Sequence, residues 1–259
     1  MAVLGGILLT VGIILSFVWR SQRQRLASIR SATPVTVAEL QELAAAVAQE
    51  IGPGSWREYV KVYGTIKSDA PLRSQLTETA CVHYRTRIVR EYEVKVSRRD
   101  EQGKSVHKIE RRSETVASHA QSAPFLLADA TGEIAVDLTG ADLETTTVLS
   151  EFKPASDGAV PSYGGFSFDG GGNTQGTIGY RYEEAIVPIG RQALIFGMAT
   201  DGASTLTLRK PTDSSQKYLL SLKVEEQLAQ GAVRSVRFSL YAMLFCLGVG
   251  FMLLLAGLA

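Results

Sequence analysis

The last 21 residues of the chain, 239–259, contain no charged side chain. As an α-helix rising about 1.5 Å per residue, this run would extend roughly 31 Å, which is the hydrocarbon thickness of a bilayer. A second uncharged run, 2–19, lies at the other end of the chain. The two runs predict transmembrane helices, so we expect an integral membrane protein whose polar middle region is held to the lipid bilayer at both ends.

Arginines beside the two runs predict the topology. Only Met1 precedes the first run, which therefore lacks the basic start of a secretory signal and is predicted to be an uncleaved anchor. Four arginines follow this run before any acidic residue, and two more closely precede the second run. By the positive-inside rule, the middle region is predicted to face the cytoplasm.

Composition argues against several classes of function. The net charge of +1 and the pI near 7.8 do not give the basic footprint of a dedicated nucleic-acid binder. Cys81 lies in the polar region and Cys246 in an apolar run, so no disulfide is expected. Neither the cysteines nor the three histidines have the spacing of a zinc site, so we predict no metal and no cofactor.

Residues 20–51 are predicted to form a basic linker and an amphipathic helix. Thr36 and Glu39 have the spacing of a capping box, and Gly52-Pro53-Gly54 would end the helix. We expect this helix to pack on the middle domain or to lie at the membrane surface. Its predicted apolar stripe consists of Leu40, Leu43, Ala44, Val47 and Ile51.

Residues 52–222 are predicted to form a β domain, with a juxtamembrane helix over 223–238. In 82–96 apolar and polar side chains alternate, interrupted only by Arg90, which is typical of a strand. A return strand would complete a long hairpin, 82–117. Between two apolar runs in 124–138, Asp129 and Gly132 predict a tight turn, because Asp bonds its own turn backbone and Gly accepts positive φ.

The strand pattern predicts a mainly β (α+β) fold. Three pieces occur in the order seen in OB-like barrels: a strand with a central glycine, the Asp-x-Thr-Gly hairpin, and a strand led by Gly190 and ending in Gly197. We therefore predict an OB-like, partly open antiparallel barrel. The 82–117 hairpin and a glycine-rich stretch, 153–179, are expected to be insertions.

The hairpin carries an excess of positive charge. Residues 85–112 hold ten Lys or Arg against five Asp or Glu, a balance of +5, whereas the rest of the chain holds 17 against 21. Such a surface suits anionic lipid headgroups, an acidic partner or a phosphate backbone; alternatively, it is a solvated edge whose charges prevent pairing. The predicted lipid or partner contacts are Arg98, Arg99, Lys104, Arg111 and Arg112.

The stretch 153–179 is predicted to be a mobile surface loop. It lacks the Lys-Ser or the helix start that accompanies a phosphate-binding glycine loop. Three aromatic residues, Tyr163, Phe166 and Phe168, lie within it, and in a loop near a bilayer they could enter the membrane interface.

The order of four motifs resembles that of the GIDE family. Between the two membrane segments the chain reads GTIKSDAPLRSQLTETACVHY, PFLLADATGEIAV, GYRYEEAIVPIGRQALIFGMA and YLLSLKVEEQL. Six residues lie at the family's motif positions and are interpreted as structural: Cys81, Asp129, Gly132, Glu184, Gly190 and Gly197.

The resemblance implies a membrane-anchored RING-type E3 ubiquitin ligase of mitochondrial and chloroplast outer membranes. In that family the middle domain faces an intermembrane space and recognises partners, while a zinc RING after the second helix recruits the ubiquitin-charged enzyme. The sequence ends at Ala259 without the RING ligands. We therefore expect a RING-less member, which would suit a prokaryote, and no zinc-binding or catalytic residue is carried over.

Three functional hypotheses follow. The first is a non-enzymatic, membrane-tethered module that binds an unidentified protein partner or lipid. The second is an enzyme, either a ligase subunit that uses a RING in trans or a hydrolase that uses Cys81 with His83, which share one face of a strand. The third, nucleic-acid binding through the OB-like face, is disfavoured because no aromatic stacking platform lies at strand spacing.

Overall fold

A computed structural model describes residues 2–99, 105–155, 162–163, 166–167, 176–202, 205–222 and 225–258. The helices are α1 (Ala2–Ser31), α2 (Val37–Ile51) and α3 (Glu225–Leu258). The strands are β1 (Thr33–Pro34), β2 (Arg57–Lys67), β3 (Leu72–Arg73), β4 (Ala80–Arg99), β5 (Ser105–Ser122), β6 (Phe125–Ala128), β7 (Glu133–Val136), β8 (Asp142–Leu143), β9 (Thr146–Pro154), β10 (Ser162–Tyr163), β11 (Phe166–Ser167), β12 (Thr177–Pro188), β13 (Gln192–Asp201), β14 (Leu206–Arg209) and β15 (Leu219–Ser221).

The chain forms two compact units. The barrel unit comprises Met1–Gly64, Leu127–Asp142 and Gln192–Ala259. The sheet unit comprises Thr65–Leu126 and Leu143–Arg191, so two segments of the sequence interrupt the barrel unit. Each unit is described by itself.

Five strands close into a barrel. The pairing order is β2-β6-β7-β14-β13, and β13 pairs back with β2. β7 and β14 run parallel, whereas β13 and β14 are antiparallel. Counted along the chain within the barrel this order is 1-2-3-5-4, which is the connectivity of an OB barrel. The prediction of a partly open barrel is corrected, because the eleven-residue strand β2 pairs along both of its edges.

The inward-facing side chains of the alternating strand pattern fill the barrel. In β2 every second residue from Val60 to Ile66 is buried. β13 is buried along almost its whole length, because Leu194 and Phe196 also pack in a cluster with Ala32, Tyr59 and Leu219. β1, β15 and β8 extend the same sheet beyond the barrel. Fully or nearly fully buried core side chains include Val60, Val62, Leu127, Ile134, Val136, Ile195 and Leu208.

The helix α2 has the predicted start and buries part of the predicted stripe, Leu40 and Ala44. Thr36 is the N-cap, and its capping box with Glu39 is present. The buried residues are Val37, Leu40 and Ala44. Leu43 and Ile51 of the predicted stripe are exposed. Leu43 lies off the face that Val37, Leu40 and Ala44 share, whereas Ile51 lies on that face but is the last residue of the helix.

The sheet unit contains a five-stranded antiparallel sheet. β4 pairs with β3, β12 and β5, and β12 also pairs with β9. The predicted long hairpin is therefore present, and its two strands run from Ala80 to Ser122. Arg90 stays on the inner face, only 5% exposed, where it forms an ion pair of 3.0 Å with Glu114 on β5. The charged residue thus fits the strand pattern because its cross-strand neighbour neutralises it.

The predicted loop at 153–179 is partly strand. β9 extends to Pro154 and β12 begins at Thr177, while β10 and β11 pair as a short antiparallel hairpin. The prediction of a loop throughout is corrected for these described residues. Tyr163 is the physical reason, because its ring packs against Tyr182 on the sheet, 5.0 Å between centroids.

Helices α1 and α3 contact each other in the barrel unit. A Cβ added to Gly12 would lie 2.6 Å from a methyl carbon of Leu247, so the glycine permits a close approach of the two helices. The runs 2–19 and 239–258 are helical, and the predicted juxtamembrane helix is continuous with the second. Within the described residues, however, no helix has the length and apolarity needed to cross a bilayer, so the predicted transmembrane spans are not supported.

Candidate functional site

Glu184 is a fully buried carboxylate in the middle of the sheet unit. β12 carries it on the inner face of the sheet, opposite Thr86 on β4. Its Oε1 accepts hydrogen bonds from the backbone N–H of Leu76 (2.7 Å) and from Thr86 Oγ1 (3.2 Å). Its Oε2 accepts from Ser74 Oγ (2.8 Å) and from Thr77 N (2.9 Å) and Oγ1 (2.6 Å). Glu184 therefore holds the β3–β4 turn, which folds around it.

Hydrogen bonding keeps Glu184 ionised. Burial by itself would raise the pKa of its carboxyl group, but the hydrogen bonds from Thr77, Leu76 and Ser74 outweigh this effect and lower the pKa below its ordinary value. With every oxygen satisfied by this chain, the carboxylate has the surroundings of a structural group and not of a proton-transfer catalyst.

Asp129 joins its own turn to the start of α2. Its Oδ1 accepts hydrogen bonds from Thr131 N, Thr131 Oγ1 and Gly132 N at 2.7–2.9 Å. Its Oδ2 accepts from Val37 N at 2.8 Å, and Thr131 Oγ1 accepts from Ala38 N at 3.0 Å. The turn therefore satisfies two N–H groups that the first turn of a helix leaves without partners.

The three predicted motif glycines have different roles. Gly132 does not have positive φ, contrary to the prediction; instead, an added Cβ would lie 3.1 Å from Val37 Cγ1. Gly190 has φ +72° in the β12–β13 turn. Gly197 lies inside β13 and not at its end, and an added Cβ would approach the Tyr218 ring to 2.9 Å.

Cys81 and His83 do not form a nucleophile pair. Cys81 is fully buried, and its thiol donates a long contact of 3.8 Å to the Leu72 carbonyl oxygen. Burial raises the pKa of this thiol, which disfavours the thiolate that a hydrolase would need. His83 Nδ1 instead contacts Ser122 Oγ at 2.8 Å. The structure therefore gives no support to the hydrolase hypothesis.

Asp201 and Tyr218 are structural residues that sequence reasoning missed. Asp201 accepts hydrogen bonds from Gly54 N (2.9 Å) and Trp56 N (2.8 Å), which fixes the segment between α2 and β2. Tyr218 donates its hydroxyl to the carbonyl oxygen of Asp137, and burial raises the pKa of this phenol. Their partners lie more than 80 residues away in sequence, so no local spacing signals them.

Two arginines on β4 form a basic surface, which we call the Arg85–Arg87 surface. Both side chains are exposed and lie on the outer face of the sheet, because they alternate with the buried Tyr84, Thr86 and Ile88. Neither forms an ion pair among the described residues. Arg85 lies opposite alanines on both neighbouring strands. The alternation of 85 and 87 with the core positions is the sequence signal that would have found them.

Several nearby arginines of the sheet unit form ion pairs. Arg181 pairs with Glu91 at 2.8 Å. Of the predicted contact residues, Arg111 pairs with Glu93 at 3.2 Å and Arg112 with Glu110 at 3.3 Å. Exposed pairs of this kind contribute little to stability, about 0–1 kcal/mol, but they reduce the local positive potential.

The remaining predicted contact residues are only partly described. Tyr163 donates its hydroxyl to Glu151 at 2.7 Å, and Lys153 Nζ lies 4.1 Å above its ring. These contacts within the sheet unit compete with any insertion of Tyr163 into a membrane. Lys104 and Phe168 lie outside the described residues, as do the side chains of Arg98, Arg99 and Phe166.

Among the described residues, no group of three or more His, Cys, Asp or Glu side chains is placed to hold a metal ion. The buried Glu184 and Asp201 and the half-buried Asp129 instead serve as hydrogen-bond acceptors for turns and for a helix start. The described parts therefore define a class of protein: an OB-type barrel and an antiparallel sheet whose interior polar groups are structural, with exposed arginines on the sheet.

Comparison with known proteins assigns the family. The model of the GIDE family, described as "E3 Ubiquitin ligase", matches residues 93–256, which is more than half of the 259-residue chain. The chain belongs to the GIDE family. No curated protein and no solved structure matches the sequence significantly.

Proposed function

We propose that this chain is a membrane-attached binding module of the GIDE family. The observation that carries the proposal is the apolar surface of α1 and α3. Large apolar side chains on both helices are exposed, including Phe17 (70%) and Phe245 (68%). Many exposed apolar side chains on two packed helices favour a partner that is itself apolar, and acyl chains are the simplest such partner.

Membrane attachment is tested by alkaline extraction of native membranes that contain the full chain. Phe17→Lys combined with Phe245→Lys places two charges on the apolar helix surface and should move the protein from the membrane pellet into the supernatant. The matched control is Ile51→Lys, since Ile51 is equally exposed (68%) but lies on α2. Extraction of the wild type and the double variant to the same extent would contradict the proposal.

The docking surface in this proposal is the Arg85–Arg87 surface. Two exposed guanidinium groups without ion-pair partners among the described residues suit a partner that presents carboxylates or phosphates. The ion pairs of Arg181 and Arg111 neutralise two other cations on this face, whereas Arg85, Arg87 and the exposed Lys95 of β4 form no ion pair among the described residues. A protein partner with an acidic segment would fit this surface. Recognition of a protein partner also agrees with a family that is described as ligases.

The side of the membrane that the sheet unit faces is also a proposal. The arginines that flank both apolar runs favour the cytoplasm, whereas family resemblance favours an intermembrane space or periplasm. Protease treatment of sealed vesicles of known orientation separates the two. Digestion of the sheet unit in inside-out vesicles alone would support the cytoplasmic assignment, and digestion in right-side-out vesicles alone would overturn it.

The family description favours E3 ubiquitin transferase activity as a second candidate. The interior polar groups described above have structural partners, so we propose that this chain contributes recognition and not transfer. The test is discharge of ubiquitin from a charged conjugating enzyme to free lysine. The full chain should leave the discharge rate unchanged, and acceleration by the chain alone would establish the transferase.

A further inference from the structure

The strand β5 forms a long edge of the sheet unit. Its residues pair with β4 from Ser105 to Ser122, and within the described residues β5 pairs with no other strand. An edge strand presents a row of backbone N–H and C=O groups to any extended segment that matches it. The middle of this edge, Lys108–Glu114, is largely exposed, including a large apolar side chain, Ile109 (58%).

Charges of alternating sign follow one another along this edge. Lys108, Glu110, Arg112 and Glu114 pair in register with Val96, Val94, Tyr92 and Arg90 of β4, so all four lie on one face of the sheet. Ile109, Arg111 and Ser113 lie on the other face. Charged side chains, lysine above all, often protect an edge strand from pairing. On β5, however, each of these four charges has an opposite one at the symmetric position about Arg111, so an antiparallel copy of the same edge would meet complementary charges.

We propose that the β5 edge docks antiparallel onto the β5 edge of a second copy of this chain, with the two-fold axis at Arg111. In that register Lys108 faces Glu114 of the second copy, and Glu110 faces its Arg112, so the two-fold axis generates four pairs of opposite charges. Within one chain Glu110 already pairs with Arg112 at 3.3 Å and Glu114 with Arg90 at 3.0 Å, so these residues share their charge between the two sets of pairs. Opposite charges at directly facing positions stabilise strand pairing, and like charges oppose it.

The other face of the paired strands is compatible with this register. Ile109 faces Ser113 of the second copy, and Arg111 faces Arg111. The repulsion between the two arginines is reduced because each is already paired with Glu93 of its own β4 at 3.2 Å. The short pairing buries little surface, so weak association is expected.

Charge exchange at positions 110 and 112 tests the register. Glu110→Arg or Arg112→Glu alone makes like charges face each other twice, and each should weaken self-association of the full chain in detergent by about tenfold or more in sedimentation equilibrium. The double variant Glu110→Arg with Arg112→Glu should regain association. An equimolar mixture of the two single variants should also associate, because the two arginines at these positions in one copy then face the two glutamates in the other.

Glu42→Arg is the matched control, since it reverses an exposed charge on α2, outside the sheet unit, and should leave association unchanged. Cross-linking gives an independent readout in a Cys246→Ser background: Arg111→Cys should form an intermolecular disulfide readily, and Ser113→Cys should form it poorly because the new thiol would face Ile109. A wild type that remains monomeric up to about 100 µM would overturn the proposal, as would equal association of both single variants and the wild type.

Discussion

At the scale of single residues, Glu184 has the most consequences for stability. From the sequence, Glu184 is only an acidic residue within a predicted strand. Its neighbour Glu183 is the same residue type but points to the opposite face of the sheet. The alternation of the strand decides between them, because Glu184 lies on the inner face and Glu183 on the outer one. The donors that satisfy Glu184 come from a turn about 110 residues earlier, and this part could not be predicted from spacing.

Replacing Glu184 with Gln should destabilise the fold. The amide has nearly the same size as the carboxylate. Its N–H₂ group would face hydrogen-bond donors in either orientation, those of Thr77 and Ser74 in one and that of Leu76 in the other. The hydrogen bonds to a charged carboxylate are also lost. We expect about 2–4 kcal/mol less stability in urea unfolding. Glu183→Gln is the control and should change stability by less than about 0.5 kcal/mol. Equal effects of the two substitutions would show that the Glu184 contacts are energetically unimportant.

The contribution of Glu184 should depend on pH. Its folded pKa lies below the ordinary value of 4.5, so ionisation favours the folded state above that pH, and the contribution is lost as the pH falls through the folded pKa. The stability difference between the wild type and Glu184→Gln should therefore be constant from pH 8 to about pH 5 and shrink below about pH 4. A difference that grows on acidification would contradict the assignment of an ionised carboxylate.

At the scale of elements, the sequence predicted turns and helix starts better than their partners. The capping box of α2 and the Asp129 turn are both local, and both form as their residue chemistry indicates. The hydrogen bond from Val37 N–H to Asp129 joins residues that are 92 positions apart, and no periodicity in the sequence predicts it. Of the predicted apolar stripe of α2, Leu40 and Ala44 are buried and Leu43 is exposed, because packing on the rest of the barrel unit and not the helix pattern decides which side of a broad stripe is covered.

Asp129→Ala should weaken the start of α2. The substitution leaves Val37 N without its acceptor and removes the bonds that shape the turn. A loss of about 1–2 kcal/mol is expected, as for other helix caps, measured by thermal or urea unfolding. Asp213→Ala is the control. Asp213 supports only its own exposed turn, so its removal should lower the stability by less. Comparable losses would mean that the helix start does not depend on Asp129.

Gly197→Ala should destabilise β13 through the Tyr218 ring. The new methyl group would lie 2.9 Å from the ring and 3.3 Å from the Arg209 carbonyl oxygen, so the ring must move from its hydrogen bond to Asp137. We expect a cost of about 1–3 kcal/mol, typical of overpacking. In the Tyr218→Ala background the same substitution should cost much less. An unchanged cost there would place the strain elsewhere in the strand.

At the scale of the whole molecule, the sequence predicted the β class and the order of the barrel motifs, but not the closure of the barrel. Closure depends on β2 pairing with β6 and β13 at once, and these strands are separated by long stretches of sequence. The hairpin lies in a segment that interrupts the barrel unit, as predicted for an insertion, but its assembly with β9 and β12 into a second unit was not predicted. Pairing between distant strands is set by tertiary packing, which hydrophobic periodicity does not encode.

The central claim is that this GIDE-family chain is a membrane-attached module that binds a partner through the Arg85–Arg87 surface. Site-specific photocrosslinking of the full chain in its native membrane tests it most directly, with the crosslinker at position 87 and, as a control, at the exposed position 42 on α2. A discrete protein adduct at position 87, absent at position 42 and lost on Arg85→Glu, is the predicted result. The same diffuse labelling at both positions, unaffected by Arg85→Glu, would contradict the claim.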